Sequence, residues 1–144
     1  MNFDEIQIIY SEIKRLSRQH EECWSPQNVI EVAHALMHNR IEYIHNGGKI
    51  IAYAETWRIP LFEAEKLARG ELINVLDYSL NWGPVLWIAQ VTFDYNARGI
   101  KEFLYELRDK VFMNNGTAKY IGWYRLKRKK GYIKPFKKKE VVYG

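Results

Sequence analysis

The spacing of apolar residues near the start of the chain predicts two helices. Over residues 3–18, apolar side chains recur every three or four positions and charged side chains fill the positions between them, which is the pattern of an amphipathic helix. A second helix is predicted over 25–37, because apolar residues again recur at helical spacing and Ser25 suits the N-cap. His38-Asn39 marks its end.

The next segment changes from helical spacing to runs that favour strands. Residues 40–59 form two runs rich in β-branched and aromatic residues, separated by Asn46-Gly47-Gly48. Asn and Gly tolerate the positive φ of tight hairpin turns, so a β-hairpin is predicted. Helical spacing returns over 61–80, with Gly70 as a break between two shorter helices.

The second half of the chain predicts a strand, a helix and another strand. Residues 85–93 are an unbroken apolar run, 94–100 are a short polar turn, 101–112 have the pattern of an amphipathic helix, and 118–125 form a further β-rich run. Together they make one βαβ unit. A last hairpin is predicted about Lys130-Gly131.

Length and composition place these elements in one packed domain. The 144 residues are 47% apolar and 15% aromatic, which favours a globular core over a disordered chain. We expect a single α+β domain over 1–144, with 125–144 as a basic C-terminal hairpin or tail.

The positive charge is concentrated at one end of the chain. Residues 125–139 hold nine Lys or Arg and no acid, which leaves 13 basic against 17 acidic residues elsewhere. The basic segment is compatible with a nucleic-acid partner, with an acidic protein partner, or with an edge hairpin whose lysines prevent aggregation.

The sequence contains neither a disulfide framework nor a membrane span. Cys23 is the single cysteine, and the N-terminal residues 1–16 contain acids and no long apolar run. We therefore expect a cytoplasmic protein.

The turn that opens the helix of the βαβ unit is the strongest candidate site. Arg98 and Gly99 immediately precede that helix, where backbone N–H groups and the helix dipole favour a phosphate. The competing interpretation is an ordinary strand-to-helix turn, with Gly99 easing the backbone and Arg98 solvated.

The order of elements and the motif N-A-R-G-I resemble the GNAT acyltransferase superfamily over about 25–124. The resemblance implies a mainly antiparallel mixed sheet with splayed central strands, flanked by helices. It also implies a pantetheine donor, either acyl-CoA or acyl carrier protein, and no metal. The residues expected to contact the donor are Val91, Phe93, Arg98, Gly99 and Ile100. Lys101 departs from the family motif, which has a small residue there.

Three blocks also resemble the toxin-activating lysine acyltransferases, namely H-E-E-C-W-S-P, the 40–59 hairpin, and W-G-P-V-L-W-I-A with the elements after it. This resemblance implies that His20 is catalytic. The family's acidic partner matches Gln90, an amide that does not stabilise an imidazolium as a carboxylate does. His20 is otherwise a solvated residue between helices.

Aromatic residues on the last predicted strands have two interpretations. Tyr124 is a candidate general acid that reprotonates a departing thiolate, a role that the GNAT resemblance implies. Tyr120 shares its face of the strand, and that face is equally compatible with core packing. Trp82, Trp87 and Trp123 are expected first in the core and second as walls of an acyl tunnel.

Two further clusters favour packing over chemistry. His34 and His38 have the helical spacing of zinc ligands, but His34 borders the apolar stripe and no second ligand cluster accompanies the pair. Cys23 lacks the surroundings of a nucleophile.

The function that these features favour is acyl transfer from a pantetheine carrier to an amine. Two alternatives remain open. Short GNAT-like chains with degenerate motifs also resemble non-catalytic accessory or virion proteins of bacteriophages, and the basic tail is compatible with a nucleic-acid-binding protein. A homodimer is a further open alternative.

Overall fold

The computed structural model of the protein describes residues 3–19 and 26–136. Its helices are α1 (Phe3–Gln19), α2 (Pro26–Met37), α3 (Leu61–Ala68) and α4 (Ile100–Asn114), and its strands are β1 (Ile41–Asn46), β2 (Lys49–Ile59), β3 (Val85–Phe93), β4 (Tyr120–Arg125) and β5 (Lys130–Pro135). Short 3-10 turns lie at Val75–Tyr78 and Leu126–Arg128. His20, Cys23 and Ser25, together with the end of the basic tail, fall outside the described residues.

The described strands form one sheet in the order β1-β2-β3-β4-β5. The pairs β1–β2 and β4–β5 are antiparallel, whereas β3 and β4 are parallel. Gly83, before β3, lies against Ile59 at the end of β2, while Asp94, after β3, donates its N–H to Ile51 near the start of β2. These two contacts show that β2 and β3 run in opposite directions. The predicted α+β class, with a mixed and mainly antiparallel sheet flanked by helices, is confirmed.

The β1–β2 hairpin forms as its turn residues predict. Gly47 and Gly48 have φ values of 60° and 77°, in the left-handed region that glycine adopts without steric cost. The strand that follows is buried from Ile50 to Ile59, so it contributes side chains to the core along nearly its whole length. Helix α2 ends before Asn39, whose φ of 57° stops the helix.

The helical prediction over 61–80 was too long. Helix α3 ends at Ala68, and Gly70, with φ of 82°, breaks the chain direction as predicted. Beyond it, the side chain of Asn74 accepts a hydrogen bond from the Leu76 N–H and caps only a short 3-10 turn. The segment after Gly70 thus forms a short 3-10 turn, Val75–Tyr78, where a second helix was predicted.

The predicted apex of the last hairpin was also wrong. The turn lies at Leu126–Arg128 and closes at Lys129, whose φ is 49°, while Lys130 and Gly131 belong to β5. A Cβ atom on Gly131 would overlap Ala68 of α3. Gly131 is thus needed for close packing of the strand on the helix and not for the turn.

Arg58 fastens the segments that precede the two parallel strands. Its side chain is almost fully buried at the end of β2. Nε donates to the carbonyl of Gly83 at 2.8 Å and one terminal nitrogen donates to Thr117 Oγ1 at 3.1 Å. Desolvation by burial lowers the pKa of Arg58 from its usual value. Arg58 therefore links the end of β2 to the segments just before β3 and β4.

The tryptophans are distributed differently from the prediction. Trp87 is buried, but Trp82 is 63% exposed, with its ring over the Arg58 guanidinium at 5.4 Å. Since most of the Trp82 side chain is exposed, the expectation that it lies in the core is wrong. Trp123 is half-buried and stacks on Tyr132 at 5.4 Å between ring centroids.

The described residues group into two compact units. The first unit contains 3–19, 26–55 and 90–111, and the second contains 56–89 and 112–136. Strands β2 and β3 each contribute residues to both units. A single folding domain remains a prediction. None of the helices within the described ranges is long and apolar enough to cross a bilayer.

Candidate functional site

The second half of β3 differs from its first half in burial and in pairing. Val85–Trp87 are buried, whereas burial alternates from Ile88 onward. The parallel ladder with β4 extends from Val85 to Ile88 and ends there. The ladder with β4 therefore covers only the first four residues of β3.

The residues of β3 after Ile88 differ in burial from one position to the next. Val91 is 49% exposed, while Thr92 next to it is buried. Gln90 is half-buried and its amide donates to Thr92 Oγ1 at 3.3 Å. Phe93 is half-buried and its ring meets the exposed Tyr95 edge-on at 5.0 Å between centroids. An apolar, partly exposed strip thus leads from the strand toward the turn.

The turn after β3 is held by its own polar groups. Asp94 fixes the end of the strand through its N–H bond of 2.7 Å to the Ile51 carbonyl. Its carboxylate accepts from the Asn96 N–H at 2.9 Å, and its carbonyl accepts from the Ala97 N–H at 3.2 Å. This is the Asx-turn arrangement that makes Asp frequent in turns.

Gly99 joins this turn to α4. Its φ is 69°, a left-handed value, and its carbonyl accepts from the N–H groups of Glu102 and Phe103 at 3.1 and 3.3 Å. Gly99 therefore occupies the position that starts the helix, and its lack of a side chain satisfies the backbone conformation. Arg98 is exposed and Ile100 is half-buried on either side of it.

The charges at the start of α4 are mixed. Arg98 and Lys101 are exposed, and neither pairs with a carboxylate within the described ranges. Glu102 lies in the first turn of the helix, and its carboxylate oxygen is 3.5 Å from where a Cβ on Gly99 would lie. This carboxylate stabilises the helix dipole but opposes a phosphate at the same place. The sequence prediction missed Glu102, although an acid in a first turn is a recognised signal.

Tyr124 belongs to the second unit, unlike the other described site residues. It is half-buried on β4, and its hydroxyl is 3.4 Å from where a Cβ on Gly70 would lie. Tyr120 and Gly122 point to the same side of the strand, and Gly122 lies against the Trp87 ring. Tyr124 therefore packs its hydroxyl end beside the turn that follows α3.

The last candidate residues are His20, expected to be catalytic, and the pair His34 and His38. His20 lies outside the described residues. The rings of His34 and His38 are 5.9 Å apart. Within the part of the chain that the structure describes, no three His, Cys, Asp or Glu side chains come together in a group able to hold a metal ion.

Comparison with solved structures places this geometry among GNAT-like folds. The chain superposes on the loading GNATL domain of CurA from Lyngbya majuscula with a TM-score of 0.60 and 13% identity, covering 88% of this chain and 62% of that one. It superposes on the GphF GNAT-like decarboxylase, in complex with isobutyryl-CoA, with a TM-score of 0.55 and 13% identity, covering 85% and 62%. This chain thus spans less than two thirds of each of those chains.

No family model matches the sequence, and no curated protein matches it. At 13% identity, the superpositions establish the fold alone. The predicted GNAT-like fold is confirmed, whereas the resemblance to toxin-activating acyltransferases is not.

Proposed function

Because the chain has a GNAT-like fold, we propose that it binds an acyl group carried on pantetheine, as acyl-CoA or acyl carrier protein, and transfers that group to an amine. The observation that carries the proposal is that the β3–β4 ladder ends at Ile88, while β3 continues to Phe93 and leads into the turn that contains Arg98 and Gly99. A solved neighbour with this fold holds isobutyryl-CoA, which supports a ligand of the same chemical class here.

The proposed arm of the ligand lies along the second half of β3. Val91 offers an exposed apolar side chain and Phe93 a half-buried ring, which suit the alkyl portions of pantetheine. Backbone amides on the side released from β4 suit its two amide groups. At the turn, Gly99 permits close approach of a phosphate oxygen to the backbone, and Arg98 supplies a bidentate cation.

The proposed reaction is aminolysis of a thioester. The amine nitrogen attacks the carbonyl carbon, a C–N bond forms and the C–S bond breaks. A base removes the proton of the amine, and an acid returns a proton to the departing thiolate. In this proposal His20 is the base and Tyr124 is the acid, while Gln90 is uncharged and offers an amide that can donate hydrogen bonds.

A non-catalytic carrier-binding module is the second candidate, and the charge at the start of α4 favours it. Glu102 places a negative charge where a phosphate would lie, and Lys101 replaces a small residue of the family motif. Gln90 is already bonded to Thr92 and carries no charge. A module that holds a carrier weakly needs no acid–base pair.

Product analysis separates the two candidates. The full chain is incubated with acyl-CoA or acyl carrier protein and with amine acceptors, and free thiol and the mass of the acceptor are measured together. Acyl transfer releases one thiol for each acylated amine. Binding without thiol release supports the module, whereas thiol release without acylated acceptor indicates hydrolysis and contradicts transfer.

Variants assign the chemistry. His20→Ala is expected to abolish transfer while leaving carrier binding and the melting temperature nearly unchanged. Tyr124→Phe is expected to lower kcat more than it raises KM, because a general acid acts only in the transition state. Gln90→Asp raises the rate if a charged partner is what the site lacks. A His20→Ala protein as active as the unaltered chain would remove His20 from the mechanism.

A further inference from the structure

The turn between β4 and β5 carries a dense and unneutralised positive charge. Five of the six residues from Arg125 to Lys130, defined here as the hairpin tip, are Lys or Arg. All six are exposed, and no carboxylate within the described ranges forms an ion pair with any of them. No acid occurs in the sequence between Asp109 and Glu140. Such a concentration of charge favours a polyanionic partner.

The sixth residue of the hairpin tip is apolar and almost completely exposed. Leu126 lies between Arg125 and Lys127 with 82% of its surface exposed. A 3-10 turn that closes at Lys129 in a left-handed conformation projects this side chain outward. An apolar side chain is thus exposed to solvent in the middle of the most highly charged segment of the described chain.

A second exposed leucine, Leu72, lies in the segment that follows α3. Leu72 is 96% exposed and follows Gly70 by two residues, and a Cβ atom on Gly70 would lie 3.4 Å from the Tyr124 hydroxyl. The intervening Glu71 pairs with Arg69 at 2.6 Å, so its charge is balanced locally. The turn that precedes Leu72 therefore packs beside β4, the strand that ends at the hairpin tip.

The aromatic rings behind the tip are already engaged. Trp123 stacks on Tyr132, with the Lys134 ammonium 5.6 Å from the centroid of the Trp123 ring, and Lys130 lies over Tyr132 at 5.6 Å. Base stacking on nucleic acid requires open ring faces, which these contacts occupy. Exposed leucines add nothing to binding a phosphate backbone, but they do add to binding a bilayer.

From these observations we infer that the hairpin tip and Leu72 bind peripherally to an anionic phospholipid bilayer. Leu126 and Leu72 enter the boundary between headgroups and acyl chains, and the five cations contact the headgroups. Weak apolar insertion and weak electrostatic attraction reinforce each other at such surfaces. This binding is independent of the proposed acyl transfer.

Flotation of the full chain with vesicles tests the inference. Binding is expected to mixed phosphatidylcholine–phosphatidylserine vesicles and not to phosphatidylcholine alone. It should weaken between about 50 and about 200 mM salt because exposed charges are screened. Lys127→Gln should weaken binding about fivefold, the effect of one cation near such a surface. Lys49→Gln, at the exposed first residue of β2, is the matched control and should bind as the unaltered chain.

The leucine variants distinguish lipid from the other polyanions. Leu126→Ser and Leu72→Ser should each weaken vesicle binding about tenfold, and Leu126→Trp should retain it. Leu80→Ser, an exposed leucine elsewhere in the second unit, should change nothing. Because these side chains are exposed, the melting temperatures should remain equal.

Three results would overturn the inference. The first is the absence of binding to mixed vesicles. The second is vesicle binding that is indifferent to both leucines. The third is displacement of the unaltered chain from vesicles by an oligonucleotide or an acidic protein, if the Leu126→Ser chain binds that competitor as tightly as the unaltered chain does. This result would assign the tip to the competitor.

Discussion

Glu102 and Arg98 act in opposite directions on any phosphate that approaches Gly99. A carboxylate oxygen of Glu102 is 3.5 Å from where a Cβ atom on Gly99 would lie. Arg98, the residue before Gly99, is exposed. A hydrogen bond to a charged group contributes about 1.5–3 kcal/mol. A like charge in the first turn of a helix opposes the same ligand, although solvent screens it.

The paired variants give a prediction with opposite signs. Arg98→Ala should weaken CoA binding at least tenfold, whereas Glu102→Gln should strengthen it. Pantetheine lacks the pyrophosphate, so neither variant should change its affinity. Isothermal titration calorimetry measures both, with exposed Arg69→Ala as the control for loss of an arginine. Equal affinities in all variants would show that the phosphate does not lie at this turn.

Tyr78 provides a pH-dependent test at the residue scale. Desolvation by burial raises the pKa of Tyr78 above its usual 10.0, and a hydrogen bond to Glu63 and the charges of Glu63 and Asp77 raise it further. A raised pKa in the folded state means that the stabilisation is complete below pH 10 and is lost as pH rises through the folded pKa.

We therefore expect Tyr78→Phe to flatten the loss of stability above about pH 10. Urea denaturation at a series of pH values measures the free energy of unfolding of both proteins. Tyr105→Phe, at an exposed position on α4, is the matched control. A difference between Tyr78→Phe and the unaltered chain that does not vary with pH would contradict the assignment.

At the scale of elements, Arg58 ties β2 to the segments that begin β3 and β4. Replacing it with Ala removes the bonds to Gly83 and Thr117 and leaves a cavity among buried groups. The expected cost is about 2–4 kcal/mol in the free energy of unfolding.

Denaturant titration of Arg58→Ala measures that cost. Arg69→Ala, which removes an exposed arginine, should change stability by less than about 0.5 kcal/mol. If the two variants are equally stable, the buried guanidinium does not hold the strands. Burial of the Arg58 charge already carries a desolvation cost, and Met leaves a smaller cavity than Ala does. Arg58→Met is therefore expected to lose less stability than Arg58→Ala.

Elements with strong local signals were predictable from the sequence. Asn46-Gly47-Gly48 specified the first hairpin, and Arg98-Gly99 was correctly placed at the start of a helix. The errors arose where tertiary packing decides. Gly131 resembles a turn residue in sequence, but its small size serves contact with Ala68.

The position of Arg98 and Gly99 at the start of α4 was predictable for the same reason. Arg98 and Gly99 are adjacent in the sequence, so their relation to the helix is local.

Arg58 lies 25 residues from its partner Gly83, and no local pattern identifies a buried arginine within an apolar strand. Trp82, whose ring lies 5.4 Å from the Arg58 guanidinium, is likewise placed by a contact distant in sequence.

At the scale of the molecule, two strands join the compact units. Since β2 and β3 each supply residues to both units, unfolding of one unit disrupts strands of the other. We expect one cooperative transition, with equal calorimetric and van't Hoff enthalpies. Two resolved transitions in differential scanning calorimetry would contradict a single domain.

The central claim is that this GNAT-like fold binds an acyl carrier through β3 and the Arg98-Gly99 turn. Thermal denaturation of the full chain with pantetheine, CoA, acyl-CoA and acyl carrier protein tests it most directly. A bound carrier at a hundredfold excess over its dissociation constant should stabilise the fold by about 2.7 kcal/mol, with a smaller shift for Arg98→Ala. No shift with any of these ligands at about 1 mM would contradict the claim, because binding would then be weaker than about −4 kcal/mol.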